Sequence, residues 1–512
     1  MREQGDLSAT DFSSPPLPPR IRVLVSNTIF PHLLTFFILL LLHLCIKSRC
    51  EIMAQDLISE LPDDVLGLII GNLTLLESVM ASMLSHRWNR ISITRPDLVF
   101  DRSNMFLTPH SDESSEYCDC REYEGKFVRG VDQILRSYQG RNLRSFKVCF
   151  CLGSNSTDHI DRWISFAIGM GAEELSLGFY CDELYSPGFG HSIDQYGALT
   201  EGKYVFQLRN FVGSKANLKS LRLIACLLGQ YSPDQFRFLQ TLTLACTNLA
   251  QYDLPGMFAC LLTLKTLTFE RCTLPERLSL GSLLQLEDFL IMFTKGVKVV
   301  TVSNMNLVRI QDLYNSHFVF DLRRAPNLKQ FRHLMTSKTL SWILTGLPSC
   351  CPALQSLAIV STSDLVKHMP PTTAIFSKVT ELCLIEREGS LYGTMAMDCI
   401  LRGFPCLREL ELWRRTEHPD SEEGKVVPKE YVHEHLKRVV MGGFRGTSSE
   451  IEGVIYLLTH TSVLERLVIN PESNAVHPWY IKIRDVAWNQ GEREKICERL
   501  QPFCKDGVLS VP

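Results

Sequence analysis

The sequence lacks every compact motif that would mark a nucleotide hydrolase, a serine hydrolase or a zinc enzyme. It has no phosphate loop ending in Lys-Ser/Thr, no G-x-S-x-G elbow and no H-E-x-x-H pair. No CxxC pair occurs, so the 18 cysteines fit neither a zinc knuckle nor a disulfide scaffold. They stand among Leu and Val and read as small buried hydrophobes in a reducing compartment. Cys118-Asp119-Cys120 has no second half. His433-Glu434-His435 lacks the spacing that puts two imidazoles on one helical face. Charge of one sign is also missing. The net charge of −3 gives no field for nucleic acid or anionic lipid, and Arg323-Arg324 and Arg414-Arg415 are too short for a basic footprint. No metal, cofactor or catalytic residue is expected.

Long apolar runs are scarce, with one exception. Residues 29–46 (IFPHLLTFFILLLLHLCI) just reach the length that spans a bilayer core. Arg20 and Arg22 before the run, and Lys47 and Arg49 after it, give little orientation. Three readings stay open for residues 1–52: a membrane anchor, an extension absent from the working protein, or a cleaved or buried segment. Met53 stands just before the first folded unit and is a natural start for the second reading. An anchored chain would keep its domains in the cytosol. Residues 1–20 are rich in Ser and Pro and read as disordered.

What is present begins at residue 57. Val65, Leu66, Ile69, Ile70 and Leu73 make one apolar helical stripe behind the acidic start Asp63-Asp64. Gly71 marks its expected end, and Thr74 to Glu77 has capping-box spacing. Val79, Met80, Met83, Leu84, Trp88 and Ile91 form a second stripe that Pro96 stops. Two or three such short helices struggle to bury their own apolar faces, which suits either a cap on the next domain or a docking module. Leu61-Pro62-Asp63-Asp64-Val65-Leu66 and Met83-Leu84-Ser85-His86-Arg87-Trp88-Asn89 resemble the opening and closing of the plant F-box. That resemblance implies a Skp-type adaptor as partner and, through it, a cullin scaffold. It assigns the adaptor-facing positions to Leu61, Pro62, Val65, Leu66, Ile69, Leu84, Arg87 and Trp88. For Val65 and Ile69 internal packing is an equal reading.

Internal repeats follow. The pattern L-x-x-L-x-L recurs from Leu143-Phe146-Val148 to Leu464-Leu467-Ile469. From Leu218 onward, its first positions are separated by 21, 25, 22, 21, 21, 26, 25, 28, 29 and 28 residues. The members near Leu307-Ile310 and Leu328-Phe331 are degenerate. Period-two alternation sets both leucines of each L-x-L on one face of a short strand, and stacked neighbours bury it. These are leucine-rich repeats with a parallel sheet. Cys226, Thr247, Cys272, Thr294 and Thr362 fall at the ninth, chain-turning position. Side chains between the two leucines point to the concave face, where Arg222, Thr243, Thr268 and Glu411 are candidate substrate contacts. Two polar insertions, about 181–205 and 416–430, are expected as loops.

Residues 433–471 read strand, helix, strand, with Thr447 and Glu450 at capping-box spacing. Lys437, Gly443-Phe444-Arg445-Gly446, Leu457-Leu458 and Val463-Leu464-Glu465-Arg466-Leu467 resemble the FBD domain that follows the repeats in many plant F-box proteins. The expected architecture is therefore α/β. An all-α F-box (57–100) and a linker (101–137) precede a solenoid of parallel strands with helices (138–430). An FBD unit and tail (431–512) cap it. The order implies the substrate-recognition subunit of a Skp–cullin–F-box ubiquitin ligase, in cytoplasm or nucleus, with an unknown protein substrate. The competing reading is a repeat scaffold, membrane-tethered or soluble, that engages no ligase.

Overall fold

The computed structural model describes residues 61–106, 120–180, 203–207, 217–230, 236–361, 376–414, 431–471 and 488–511, apart from short gaps inside these ranges. The apolar run 29–46, Thr74, Leu84 and nearly all of both polar insertions lie outside them. Among the described residues no helix is long and apolar enough to cross a membrane. The chain divides into two units, residues 1–92 and 93–512.

In the first unit the described elements are three short helices: α1 (Asp63–Asn72), α2 (Leu75–Ser82) and α3 (His86–Ser92). Asp63 and Asp64 occupy the first turn of α1, where carboxylates favour the helix dipole. The helix passes Gly71 and ends one residue later.

The second unit is built on a 15-stranded parallel sheet. Its strands in spatial order are β1 (Asp97–Asp101), β2 (Ser145–Cys149), β3 (Glu174–Gly178), β5 (Ser220–Ile224), β7 (Thr241–Ala245), β8 (Thr266–Glu270), β10 (Asp288–Met292), β12 (Arg309–Leu313), β14 (Gln330–Met335), β15 (Ser356–Ser361), β16 (Glu381–Glu386), β17 (Glu409–Arg414), β18 (Arg438–Gly442), β19 (Arg466–Asn470) and β20 (Leu509–Ser510). Register follows the repeat pattern. Leu242, Leu267, Phe289 and Ile310 are lateral neighbours and are 3% exposed or less. The degenerate repeats keep this register, with Ile310 beside Phe331. The described core helices around the sheet include α4 (Arg102–Met105), α5 (Cys120–Ser137), α6 (Thr157–Gly169) and α7 (Leu254–Cys260). Further along come α8 (Ser337–Cys350), α9 (Thr394–Gly403), α10 (Ser448–Thr459) and α11 (Gln490–Leu500).

Three features depart from the sequence reading. The stretch expected as a linker carries α4 and α5, and Phe127 of α5 stacks on Phe150 at 4.2 Å. The sheet also starts earlier than residue 138, because β1 pairs with β2. In the central repeats the second layer is strand, not helix. There β9 (Arg277–Ser279), β11 (Val299–Thr301) and β13 (Val319–Asp321) form a separate three-stranded parallel sheet. Its Phe320 meets Phe331 of the main sheet across the core, ring centroids 5.6 Å apart. A short pair, β4 (Val205–Phe206) with β6 (Leu227–Leu228), forms a third described sheet.

The central repeats also exchange two core leucines for a polar pair. Asp312 and His333 occupy the second leucine position of successive repeats and are 1% and 5% exposed. The His333 imidazole Nδ1 meets Asp312 Oδ2, and the Asn315 amide donates to the other carboxylate oxygen. The same amide reaches Ile291 O at 2.9 Å, while the Thr294 hydroxyl donates to Asn315 Oδ1 at 2.9 Å. Burial raises the Asp312 carboxyl above its usual range, and the His333 and Asn315 contacts pull against that rise.

At the C-terminal end, Thr447 and Glu450 close the expected capping box on α10. Glu450 also receives Arg414 of β17 in an ion pair whose side chains are 2% and 1% exposed. Arg414 lies over the Tyr392 ring at 5.2 Å. Gly453 sits so close to the Tyr392 carbonyl that a Cβ there would stand 1.8 Å from its oxygen. Gly446 adopts φ +77°, the left-handed region that side chains avoid. Residues 488–511 add a further rung, since β20 pairs with β19 and buries Val508 and Val511.

Candidate interaction surfaces

In the first unit, Leu66, Ile70, Leu73, Ala81 and Trp88 form the internal core, with Leu61 and Ile69 packed against it. Arg87 fixes α3 to the start of α1. Its Nε donates to Asp63 Oδ1 at 2.6 Å and its Nη2 donates to Leu61 O. Arg90 adds a longer contact to Asp63 at 3.2 Å. The Arg87 hydrogen bond holds the Asp63 carboxyl below its usual range.

The eight positions assigned to an adaptor thus separate. Leu66 is fully buried and Trp88 is 4% exposed, so both hold the helices together. Leu61, Ile69 and Arg87 are half-buried, with packing or hydrogen bonds inside the unit. Pro62 is exposed and Val65 half-buried on α1. Leu68, 69% exposed and one turn from Val65, extends that face. Sequence reasoning passed over Leu68 because it falls off the buried stripe. The signal was its i, i+3 relation to Val65.

On the open face of the long sheet, Arg222, Thr243 and Thr268 are lateral neighbours. Arg222 is exposed, Thr268 half-buried, and Thr243 only 9% exposed. Glu411 belongs to the same row but six strands away, roughly 29 Å at ~4.8 Å per strand. The structure therefore brings three of the four together and leaves Glu411 in another neighbourhood.

That neighbourhood is the more distinctive. Ile385 and Trp413 pack with Val360, Cys383 and Val440 in an apolar cluster on the open face. Arg438 approaches Glu409 at 3.9 Å and Glu411 at 3.8 Å beside it. Trp413 Nε1 is buried without a hydrogen-bond partner among the described residues. Burial pushes the Cys383 thiol up to about 12, so it stays protonated and behaves as an apolar group. Sequence reasoning missed Trp413 because it follows the L-x-L triplet. The signal was a Trp where the neighbouring strand has Ile385.

The turning cysteines are buried and held by backbone contacts. Cys272 Sγ lies 3.2 Å from Leu244 O, and burial raises its thiol to about 12. Among the described residues no group of His, Cys, Asp or Glu has metal-site geometry. His433 is turned to structural use. Its Nε2–H donates to Phe404 O at 2.9 Å, and Nδ1 accepts from Leu436 N at 3.1 Å. Burial holds this imidazole below its ordinary pKa.

Comparison with known proteins agrees with this architecture. The F-box domain family matches residues 58–98. The family described as the At1g61320/AtMIF1 LRR domain matches residues 134–484. An Arabidopsis thaliana F-box/LRR-repeat protein, At3g58900, is 31% identical over 39% of this chain and 58% of its own length. The putative F-box/LRR-repeat protein At5g54820 of the same plant is 28% identical over 36% of this chain and 35% of its own length. The putative FBD-associated F-box protein At5g50270, also from Arabidopsis, is 25% identical over 82% of this chain and 98% of its own length. The first two alignments thus span little more than half, and about a third, of those relatives. With an F-box at 58–98, an LRR domain of the At1g61320/AtMIF1 kind over most of the remainder, and the observed ladder of parallel strands beneath it, the chain belongs to the F-box/LRR-repeat family.

Proposed function

We propose that the chain is a non-catalytic substrate receptor of a Skp–cullin–F-box ubiquitin ligase. The F-box match in front of a repeat domain carries this reading. Support comes from the Pro62–Val65–Leu68 side of α1, which the unit's own core leaves outward. In this reading that side meets a Skp-type adaptor, while Leu66 and Trp88 set its shape. The open sheet face holds a protein substrate, through the Arg222–Thr243–Thr268 row or the Trp413 cluster. Residues 431–512 serve as an FBD-type cap. The receptor contributes proximity, raising the local concentration of a target lysine near the conjugating enzyme. Its place of work is then the cytoplasm or nucleus.

The test is capture of a purified Skp-type adaptor by the full chain, with Pro62→Ala/Val65→Asp as the variant. Loss of capture at unchanged circular dichroism supports the proposal, and equal capture by both proteins rejects it. The apolar run 29–46 favours a second reading, a membrane-tethered repeat scaffold without ligase contact. Retention in the pellet on alkaline carbonate extraction, with no adaptor capture, selects it.

A further inference from the structure

Most of the described repeats enter their main strand through a tight turn. The first leucine's N–H bonds to the carbonyl three residues back, as in Leu239 to Phe236, Leu264 to Leu261, Leu286 to Leu283, Leu328 to Ala325, Leu354 to Cys351 and Leu407 to Phe404. The second residue of the turn is its outer corner, four residues before the strand begins. Later repeats place Pro326, Pro352, Ser377 and Pro405 there. Proline suits that corner and serine tolerates it, so the fold makes no apolar demand. Three consecutive central repeats nevertheless carry Leu262, Leu284 and Met305 at the corner, 60%, 62% and 61% exposed. Phe238, one residue past the preceding corner, is 51% exposed.

These corners are fixed to one another. Asn306 Nδ2 donates to Leu284 O at 2.8 Å, and Asn327 Nδ2 donates to Met305 O at 2.7 Å. The Thr263 hydroxyl donates to Arg237 O at 3.0 Å. The result is a rigid apolar stripe along the rim of the sheet, one side chain per rung at ~4.8 Å. Of the charges beside it, Glu287 is paired with Lys265 at 3.0 Å and Asp288 with Arg309 at 2.8 Å. Arg237 at one end and Lys329 at the other are exposed, with no carboxylate partner among the described residues.

We propose that this rim, formed by Phe238, Leu262, Leu284 and Met305, docks an acidic amphipathic helix of a partner protein. The rung spacing is close to the ~5.4 Å pitch of an α-helix, so apolar residues at i, i+3 or i+4, and i+7 meet successive rungs. A strand repeats each face at about 6.6 Å and falls out of step after two rungs. The unpaired cations at both ends select carboxylates beside the apolar stripe. A second copy of this chain fits poorly. The stripe exposes on the order of 400 Å², about half of what each side of a stable dimer buries, and an antiparallel pairing sets Arg237 against Lys329. The chain's own run 29–46 carries arginines and lysines at both flanks and matches the rim in charge sign.

The test pans a displayed library of 14-residue helical peptides on the full chain, with Leu262→Ser/Leu284→Ser/Met305→Ser as counter-target. Serine already occupies this corner at Ser377, so the variant is expected to melt within a few degrees of wild type. The proposal expects enriched peptides with apolar residues at i, i+3 or i+4, and i+7 flanked by Asp and Glu. A synthetic representative should bind the variant at least tenfold more weakly, and bind wild type more weakly as salt rises. Enrichment only of extended or basic peptides, equal affinity for both proteins, or no enrichment would overturn it. So would a wild-type dimer in sedimentation velocity that the triple variant converts to monomer.

Discussion

The central and C-terminal repeats solve one problem in two ways. Both must cover the buried side of a parallel sheet. From β8 to β14 the chain returns in as few as 21 residues and covers the core with the three short strands β9, β11 and β13. From β15 to β19 it spends 25 to 29 residues per repeat and uses the helices α9 and α10. Left-handed residues follow four successive strands of the main sheet, whatever the length of the return. Cys246, Arg271 and Phe293 adopt φ near +50°, as does Ala225 one repeat earlier. In the described C-terminal repeats the left-handed positions after residue 296 are glycines. The non-glycine residues carry backbone strain at these turns that the glycines avoid. Each region also buries ionisable pairs, Glu270–Arg271 and Asp312–His333 in the centre and Arg414–Glu450 beyond it. Asp312–His333 joins neighbouring strands, whereas Arg414–Glu450 joins a strand to a helix.

Breaking the Arg414–Glu450 pair should have the largest effect. Glu450→Ala leaves Arg414 charged in the core and removes the Glu450 half of the α10 capping box, so urea unfolding should show a loss of about 3–5 kcal/mol. Removing one partner centrally, with His333→Leu, is expected to cost about 3 kcal/mol. Asp312→Leu/His333→Leu restores the repeat's own pattern and should recover that loss or exceed wild type by about 1 kcal/mol. A double variant as unstable as the single one would show that the pair does more than replace two leucines.

Acid should separate the regions next. The neutral His433 imidazole is held by an acceptor and a donor, and its pKa lies below that of the unfolded chain. Its contribution is fully present above pH ~6.5 and is lost as pH falls from there toward the folded value. The expected slope reaches at most ~1.4 kcal/mol per pH unit below ~6.5 and should flatten in His433→Asn, as followed by denaturant titration at several pH values. The smallest effect is expected at Ala225→Gly. Relief of left-handed strain offsets the lost methyl and the looser unfolded chain, leaving stability within about 0.5 kcal/mol of wild type. The same exchange at Ala396, buried in α9, should cost at least about 1 kcal/mol by thermal denaturation.

The rungs were legible because L-x-x-L-x-L fixes both strand and register, even where Ile310 and Phe331 replace leucine. The strand–helix–strand order around Thr447 and Glu450 was legible from its capping box. Asp312 and His333 looked like decay of the pattern, because their compensation is visible only when residues 21 apart in sequence become neighbours. The helix at 120–137 was readable from Phe127, Val128, Val131 and Leu135, and the acidic lead before it masked that spacing. The rung at Leu509–Ser510 has two residues and no period to detect. At the F-box the stripe itself was correct, but a stripe cannot say whether it faces inward or toward a partner. Leu66 and Trp88 face inward.

Stacks of near-identical rungs carry a hazard: a strand can settle one repeat out of step and still bury its leucines. Asp312 removes that freedom locally. Its carboxylate is satisfied only when the strand bearing His333 lies alongside and Asn315 closes beneath. Any shifted stack would press an unsatisfied carboxyl against leucine. The two odd residues therefore act as an index mark, telling the growing ladder which rung is which.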